Sequence, residues 1–197
     1  MQRLRGWLEA RSGPVQILIR VNANPVPPDH WTLDPREGGG RLVGEGCHFV
    51  DLAAYLAGSP GRVVSAAALS GASEAERESN TTLVMSFADG SLATISYLST
   101  GHRGLPKERI EVSWDGRSVV IDDFRRMETH GVGKDERLRI QDKGIRGHFA
   151  NFLAALAGRS ELTAPVTVGL DVAERIDEAK RFLAEAGASE VGAERDA

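Results

Sequence analysis

The stretch from Gly38 to Asp51 holds the residues whose types and spacing could do chemistry. Glu45, His48 and Asp51 follow one another at three-residue intervals. In a helix that turns about 100° per residue, these three residues lie within about 120° of one another and share one face. Tyr55, one turn later, lies on the same face. A carboxylate within about 4–6 Å favours the protonated form of an imidazole. The spacing therefore predicts a proton-handling site at His48.

Structural explanations for the same carboxylates stay open. A glutamate in a first helical turn, such as Glu45, is favoured by the helix dipole, and Asp51 could bond a nearby backbone amide. The rest of this helix is apolar and predicts burial. Its apolar residues include Val43, Cys47, Val50, Ala53, Ala54 and Leu56.

Two other functions for this stretch are not supported by their sequence context. A dinucleotide-binding loop needs a preceding hydrophobic strand, whereas residues 29–37 are mostly polar, and Glu45 would repel a pyrophosphate. The Glu45-x-x-His48 spacing also occurs in di-iron helix bundles, but these need a second copy of the motif, which the sequence lacks. We therefore predict no cofactor-binding loop here and no metal site.

Length and composition predict one globular domain. The chain has 197 residues and a net charge of −4, which fits a single domain with a sizeable core and gives no reason to expect nucleic acid or membrane as a partner. The one cysteine excludes an internal disulfide framework. Without a secretory signal, we expect a cytoplasmic protein. Residues 1–187 are predicted to form the domain and 188–197 a disordered tail.

Hairpin patterns dominate the middle of the chain. Asp89-Gly90 and Asp115-Gly116 are turn pairs between alternating strands, and residues 131–133 separate a third strand pair. Residues 73–79 are charged and predicted to be a loop. Two helices, over about 145–157 and 170–186, follow the strands. This grouping predicts an α+β fold with a large, mainly antiparallel open sheet and helices packed on one face.

A sheet with helices on one face leaves its other face uncovered. We expect that face to be partly apolar, which would favour a homodimer or a dimer-based oligomer joined through it, or packing on another domain. The residues assigned to the uncovered face are Met85, Ile95, Tyr97, Val112 and Trp114.

Six segments carry a family resemblance. They are 20–23 (RVNA), 27–31 (PPDHW), 38–51 (GGGRLVGEGCHFVD), 105–109 (LPKER), 122–126 (DDFRR) and 141–144 (QDKG). In this order, over nearly the whole chain, they resemble the C-terminal domain of the glucose–fructose oxidoreductase / inositol dehydrogenase (Gfo/Idh/MocA) family. The resemblance implies a substrate-binding and oligomerisation domain. Its partner in the family is an N-terminal domain that holds NAD or NADP, and hydride moves between nicotinamide and a sugar, cyclitol or related hydroxyl compound.

The resemblance also implies roles for particular residues. His48 matches the family histidine that bonds the reacting hydroxyl and helps to carry its proton. The acidic residue usual four positions earlier is replaced by Gly44, for which Glu45 is a candidate substitute. Three further residues are candidates for contacting substrate hydroxyls. These are Arg20, Asn22 and Lys107.

The nucleotide-binding domain has no counterpart in this sequence, since no strand–glycine loop–helix opens it. We therefore expect the chain alone to bind no nicotinamide cofactor and to be inactive without such a domain. Whether it is part of an enzyme stays open at this point. The alternative is a non-enzymatic orphan domain that serves as an oligomerising, partner-binding or carbohydrate-binding module.

Overall fold

A computed structural model describes residues 1–34, 36–69 and 74–193. The helices within these residues are α1 (Gln2–Glu9), α2 (Cys47–Ala57), α3 (Glu74–Ser79), α4 (Ile145–Leu156) and α5 (Val166–Ala193). The strands are β1 (Gln16–Asn22), β2 (Gly61–Ala68), β3 (Thr81–Phe87), β4 (Leu92–Leu98), β5 (Glu108–Trp114), β6 (Arg117–Asp122), β7 (Arg126–His130) and β8 (Glu136–Arg137). A π-helical segment, Leu42–Gly46, leads directly into α2.

The strands of the described residues form one sheet in the order β2-β3-β4-β1-β5-β6-β7-β8. Every neighbouring pair is antiparallel except β1 and β4, which are parallel. The predicted fold class, α+β with a large, mainly antiparallel open sheet, is confirmed. The parallel pair is a feature that the hairpin patterns did not predict, because it joins strands more than seventy residues apart.

The predicted hairpin turns form at the expected places. Asp115 and Gly116 both have positive φ, 44° and 73°, as a two-residue turn between twisted strands requires. The turn between β3 and β4 contains Gly90 at φ 86°. The third hairpin pairs β7 with the two-residue strand β8. Local turn chemistry therefore fixes each antiparallel register in this part of the sheet.

One face of the sheet is buried beneath helices. Leu4 and Leu8 of α1 belong to the same hydrophobic core as Ile17 and Ile19 of β1. Further core residues come from α2 and α5, and these are Phe49, Val50, Ala53, Leu56, Ile176, Ala179 and Leu183. Helix α4 is different, since none of its residues is buried.

The assignment of residues to the uncovered face was wrong. Tyr97 is 1% exposed, and the whole predicted set lies in the core on the helix-covered face, because alternation places each member on that side of its strand. The members are Met85, Ile95, Tyr97, Val112 and Trp114. The uncovered face instead mixes apolar Leu18 and Leu92, 44% and 42% exposed, with charged side chains such as Arg109 and Asp122.

Two segments are more helical than predicted. Residues 74–79 form α3 in place of the predicted loop; Ser73 lies outside the described residues. Helix α5 continues to Ala193, six residues into the segment for which a disordered tail was predicted. Alanine and glutamate in that stretch have high helix propensity and can prolong a helix that is already formed. The last four residues lie outside the described part.

None of the helices that the structure describes has the length and apolar composition needed to cross a bilayer.

Candidate functional site

The chain enters α2 through a loop that is held against two other helices. Lys180 of α5 donates a hydrogen bond to the carbonyl of Gly39 (2.7 Å) and forms an ion pair with Glu78 of α3 (2.9 Å). Gly40, at φ 92°, lies so close to Glu78 that a Cβ there would stand 1.8 Å from its Oε2. The glycine run is therefore required by packing.

The π-helical segment changes which residues share a face. A wider π turn rotates Leu42–Gly46 relative to the α-helix that follows. Val43, which was predicted to be buried, is 45% exposed, and Cys47 is only half-buried. Glu45 points toward the sheet, whereas His48 is exposed. The prediction that Glu45 and His48 lie on one stripe was therefore wrong, because it assumed a regular α-helix throughout.

Glu45 is the centre of a group of four polar side chains, which we call the Glu45 cluster: Arg41, Glu45, Tyr97 and Lys107. Lys107 donates a hydrogen bond to Glu45 Oε1, and the Tyr97 hydroxyl donates one to Oε2. Arg41 Nη2 lies 3.3 Å from the same Oε2, and its guanidinium stands 5.3 Å from the centre of the Tyr97 ring. Both carboxylate oxygens are therefore engaged by donors.

The cluster alters the acidity of two of its members. Burial alone would raise the pKa of Glu45, but the hydrogen bonds from Lys107 and Tyr97 and the two nearby cations outweigh it, so the pKa is lowered from its ordinary value. Burial, followed by the hydrogen bond to Glu45, raises the pKa of Tyr97 well above its usual range. Glu45 is therefore an anion and Tyr97 a neutral donor near pH 7.

His48 lies on an exposed part of α2 with Asp51 and Tyr55, a surface we call the His48 face. No hydrogen bond or ion pair joins Glu45 to His48 in the described residues, and His48 Nδ1 lies 3.9 Å from Cys47 Sγ. Asp51 and Tyr55 line a cavity of about 510 Å³ beside α5. Partial burial there raises the pKa of Asp51, an effect that nearby His48 opposes.

The other three candidate residues meet at the end of β1. Asn22, which is 5% exposed, donates from Nδ2 to the carbonyls of His102 (3.0 Å) and Leu105 (3.1 Å). Arg20 Nη1 donates to the carbonyl of Pro106 (2.8 Å). Arg20 and Asn22 thus fasten the loop that carries Lys107, while the Lys107 side chain remains 41% exposed.

Sequence reasoning missed Arg41 and Tyr97 as members of the site. Arg41 had a detectable signal, because it precedes Glu45 by four residues, the spacing of a helical ion pair. Tyr97 had none, since its contact with Glu45 depends on how α2 lies across the sheet.

The glycine run at residues 38–40 does not fit the phosphates of a dinucleotide. The space beside Gly38 is filled by the backbone of Thr32, 2.4 Å from a Cβ placed there, and Gly40 faces the carboxylate of Glu78. A phosphate at this loop would meet a buried negative charge instead of free backbone amides. No group of histidine, cysteine or acidic side chains in the described ranges has the arrangement of a metal site.

Comparison with known proteins identifies the family of this domain. The sequence profile described as GFO/IDH/MocA C-terminal domain matches residues 11–119. No curated protein matches the chain in sequence.

Similar solved structures have the same fold at low identity. The oxidoreductase domain protein from Kribbella flavida has 17% identity and a TM-score of 0.74, with 96% of this chain and 62% of that one covered. The WlbA dehydrogenase from Bordetella pertussis, in complex with NADH and UDP-GlcNAcA, has 17% identity and a TM-score of 0.73, with 94% and 59% covered. The aldose-aldose oxidoreductase from Caulobacter crescentus, complexed with glycerol, has 21% identity and a TM-score of 0.72, with 93% and 57% covered.

This chain thus spans about three fifths of the length of those proteins. The profile match covers more than half of the present sequence and includes β1, the glycine run, α2, strands β2 to β5 and the first residues of β6. The chain therefore belongs to the GFO/IDH/MocA family and corresponds to its C-terminal domain.

Proposed function

We propose that this chain is the substrate-binding and oligomerisation domain of an NAD(P)-dependent oxidoreductase that acts on a sugar, a cyclitol or a related hydroxyl compound. The observation that carries the proposal is His48, an accessible imidazole on a helix that is packed onto the sheet, in a domain of an oxidoreductase family. The NADH and UDP-GlcNAcA bound to WlbA are consistent with this chemistry.

In this proposal His48 exchanges a proton with the reacting hydroxyl of the substrate. An imidazole can act as both acid and base near neutral pH, and a fixed helix holds it in one orientation. In the same proposal Asp51, three residues later on the same exposed face, stabilises the imidazolium that forms when His48 accepts the proton. Glu45 supports the site indirectly, by holding Lys107 at the adjoining loop.

The nicotinamide cofactor is proposed to lie on a separate nucleotide-binding domain. Helix α4 supports such a partner because it carries a row of large apolar side chains that face solvent. Ile145, Phe149, Phe152 and Leu156 recur at intervals of four, three and four residues and are 65%, 61%, 47% and 76% exposed. This spacing forms one continuous apolar stripe. In these solved structures about two fifths of the chain lies outside the part that this domain covers, which is enough for a domain that packs on α4.

The uncovered sheet face is proposed to join two copies of the chain. Leu18 and Leu92 are exposed near its centre, and each is surrounded by polar side chains that could pair across a two-fold axis. An interface of this kind would need to bury more than about 1,000 Å² in total to be stable.

The proposal is tested by His48→Ala in the enzyme that contains this domain together with its nucleotide-binding domain. Loss of a general acid/base should lower kcat by about 10²–10⁴-fold, measured by NADH or NADPH absorbance. His130→Ala, on strand β7, is the matched control and should leave kcat unchanged. Equal kcat for His48→Ala and the unmodified enzyme would reject this role of His48.

One observation favours a non-enzymatic module as the second candidate. Gly44 stands where the resemblance leads us to expect an acid, although a Cβ there would meet nothing within 4 Å and a larger side chain would fit. If the chain forms no complex with a nucleotide-binding domain and still binds carbohydrate, this second function is the correct one.

A further inference from the structure

A cavity of about 300 Å³ lies between the end of β1 and the loop of residues 101–107, and we call it the loop cavity. Its wall includes Asn22, Asn24, Arg103, Lys107 and Asp123. This volume is at the lower end of the range for small-molecule pockets, and it suits one sugar-sized unit rather than a nucleotide.

The wall of the loop cavity is held in place by the strand beside it. The amide group of Asn22 donates to two carbonyls of the loop, and its backbone N–H donates to the carbonyl of Lys107 (2.7 Å). Gly101 packs so tightly on Asn22 that a Cβ there would lie 1.8 Å from Oδ1. Because the loop is fastened before any ligand arrives, little ordering is needed on binding.

The charges around the loop cavity favour an anion. Arg103 is exposed and has no hydrogen bond or ion pair within the described residues, so all of its donors are free. Lys107 donates to Glu45, but an ammonium has two further N–H groups. Glu45 itself is offset by Arg41, and one oxygen of Asp123 accepts from the backbone N–H of Glu108 (2.9 Å). Cations therefore outnumber carboxylates locally, although the whole chain is negative.

We propose that the loop cavity binds an anionic substituent, a carboxylate or a phosphate, of the hydroxyl-bearing substrate, with Arg103 and Lys107 as its ligands. The inference rests on the proposed function for the hydroxyl-bearing part of the molecule. The Arg103 guanidinium matches either group through two parallel hydrogen bonds, while Lys107 supplies a point charge. Lys107 also contacts Glu45, which precedes His48 by less than one helical turn. Lys107 thereby connects the loop cavity to the Glu45 cluster.

The test is a titration of the ¹⁵N-labelled 197-residue chain, followed by NMR, with D-glucuronate, D-glucose and inorganic phosphate as probes. Glucuronate should shift amides around residues 101–107 in a saturable way, at a concentration at least tenfold lower than glucose. Arg103→Ala should weaken glucuronate binding at least fivefold. Arg62→Ala, an exposed arginine on β2 at the far edge of the sheet, is the matched control and should leave it unchanged.

Each outcome separates this inference from the proposed function. Equal binding of glucose and glucuronate would overturn the anionic subsite and leave the substrate-binding role intact. Binding of phosphate at the loop with neither sugar bound would support the anionic subsite and count against a sugar substrate. No binding by any probe, or glucuronate binding that survives Arg103→Ala, would overturn the inference.

Discussion

At the scale of single residues, Glu45 is the carboxylate on which most polar contacts converge. Its two oxygens receive donors from the sheet, from the 101–107 loop and from its own helical segment. Removing one member of such a partly buried group leaves the others without partners, so the loss exceeds that of an exposed ion pair. The cluster therefore fixes the position of the π-helical segment, and with it the start of α2.

Glu45→Gln is predicted to make the free energy of unfolding less dependent on pH in the acid range. The folded state lowers the pKa of Glu45 below its ordinary value of 4.5, so its stabilising effect is complete above that pH. As the pH falls through the lower folded pKa, this contribution disappears. Urea unfolding at pH 7 and at several values between 5 and 3 should show the unmodified chain losing its advantage over Glu45→Gln. A constant difference in unfolding free energy across this range would contradict the prediction.

Tyr97→Phe is predicted to lower the free energy of unfolding by about 1.5–3 kcal/mol at pH 7, since it removes a hydrogen bond to a charged group from a core position. Tyr55→Phe is the matched control. Tyr55 is 41% exposed and its hydroxyl has no hydrogen bond within the described ranges, so we expect a change within about 0.5 kcal/mol. Urea denaturation measures both, and equal effects would show that the Tyr97 hydroxyl adds nothing to stability.

At the scale of elements, the position at which α2 ends is set by the backbone conformation of its last residues. Gly58 adopts a left-handed conformation, φ 85°, and its N–H closes the last turn onto the carbonyl of Ala54 (2.8 Å). The Arg5 guanidinium of α1 lies against it, 2.6 Å from where a Cβ would stand. The end of α2 and its contact with α1 therefore both need glycine, and they set where the His48 face lies.

Gly58→Ala is predicted to destabilise the chain by about 1–2 kcal/mol, because the left-handed backbone conformation is strained for alanine and the added Cβ displaces the Arg5 guanidinium. Gly6→Ala is the opposite case. Gly6 lies inside α1 with nothing within 4 Å of an added Cβ, so this change should stabilise by about 0.5–1 kcal/mol. In thermal unfolding, the Tm of Gly58→Ala should therefore fall and the Tm of Gly6→Ala should rise. Shifts of the same sign would show that backbone conformation does not decide the difference.

At the scale of the whole molecule, two surfaces of different character remain uncovered. The stripe on α4 is almost entirely apolar, whereas the open sheet face alternates leucines with charged and hydroxyl side chains. Surfaces that mix apolar and polar residues are typical of interfaces between proteins that are also stable as separate chains. Predominantly apolar surfaces are typical of permanent interfaces. This contrast is why we propose a domain partner for α4 and a second copy for the sheet face.

The chain is predicted to be a homodimer at low micromolar concentration, with a mass near twice 21.2 kDa by light scattering. Leu18→Lys, at the centre of the open face, should shift it to monomer. Leu69→Lys replaces a leucine that is 54% exposed just after β2 and should leave the dimer intact. A monomeric unmodified chain would contradict the proposed sheet interface, and loss of the dimer in both variants would place the interface elsewhere.

The sequence by itself determined the elements that local chemistry controls. Asp-Gly pairs set the hairpins, Gly58 ends α2, and the period of apolar residues separates strands from helices. These features depend on neighbours only a few residues apart, so one sequence suffices to predict them. The spacing of polar residues also indicated Glu45 and His48 as candidate site residues, and the family resemblance added Arg20, Asn22 and Lys107.

Only the tertiary structure decided how those residues are grouped. The π-helical turn separates Glu45 from His48, and the packing of α2 on the sheet brings Glu45 to Tyr97 and Lys107, more than fifty residues away. The same packing decides that Tyr97 faces the helices rather than solvent. A strand pattern shows that two faces differ but not which one the helices cover, because that choice depends on contacts between distant segments.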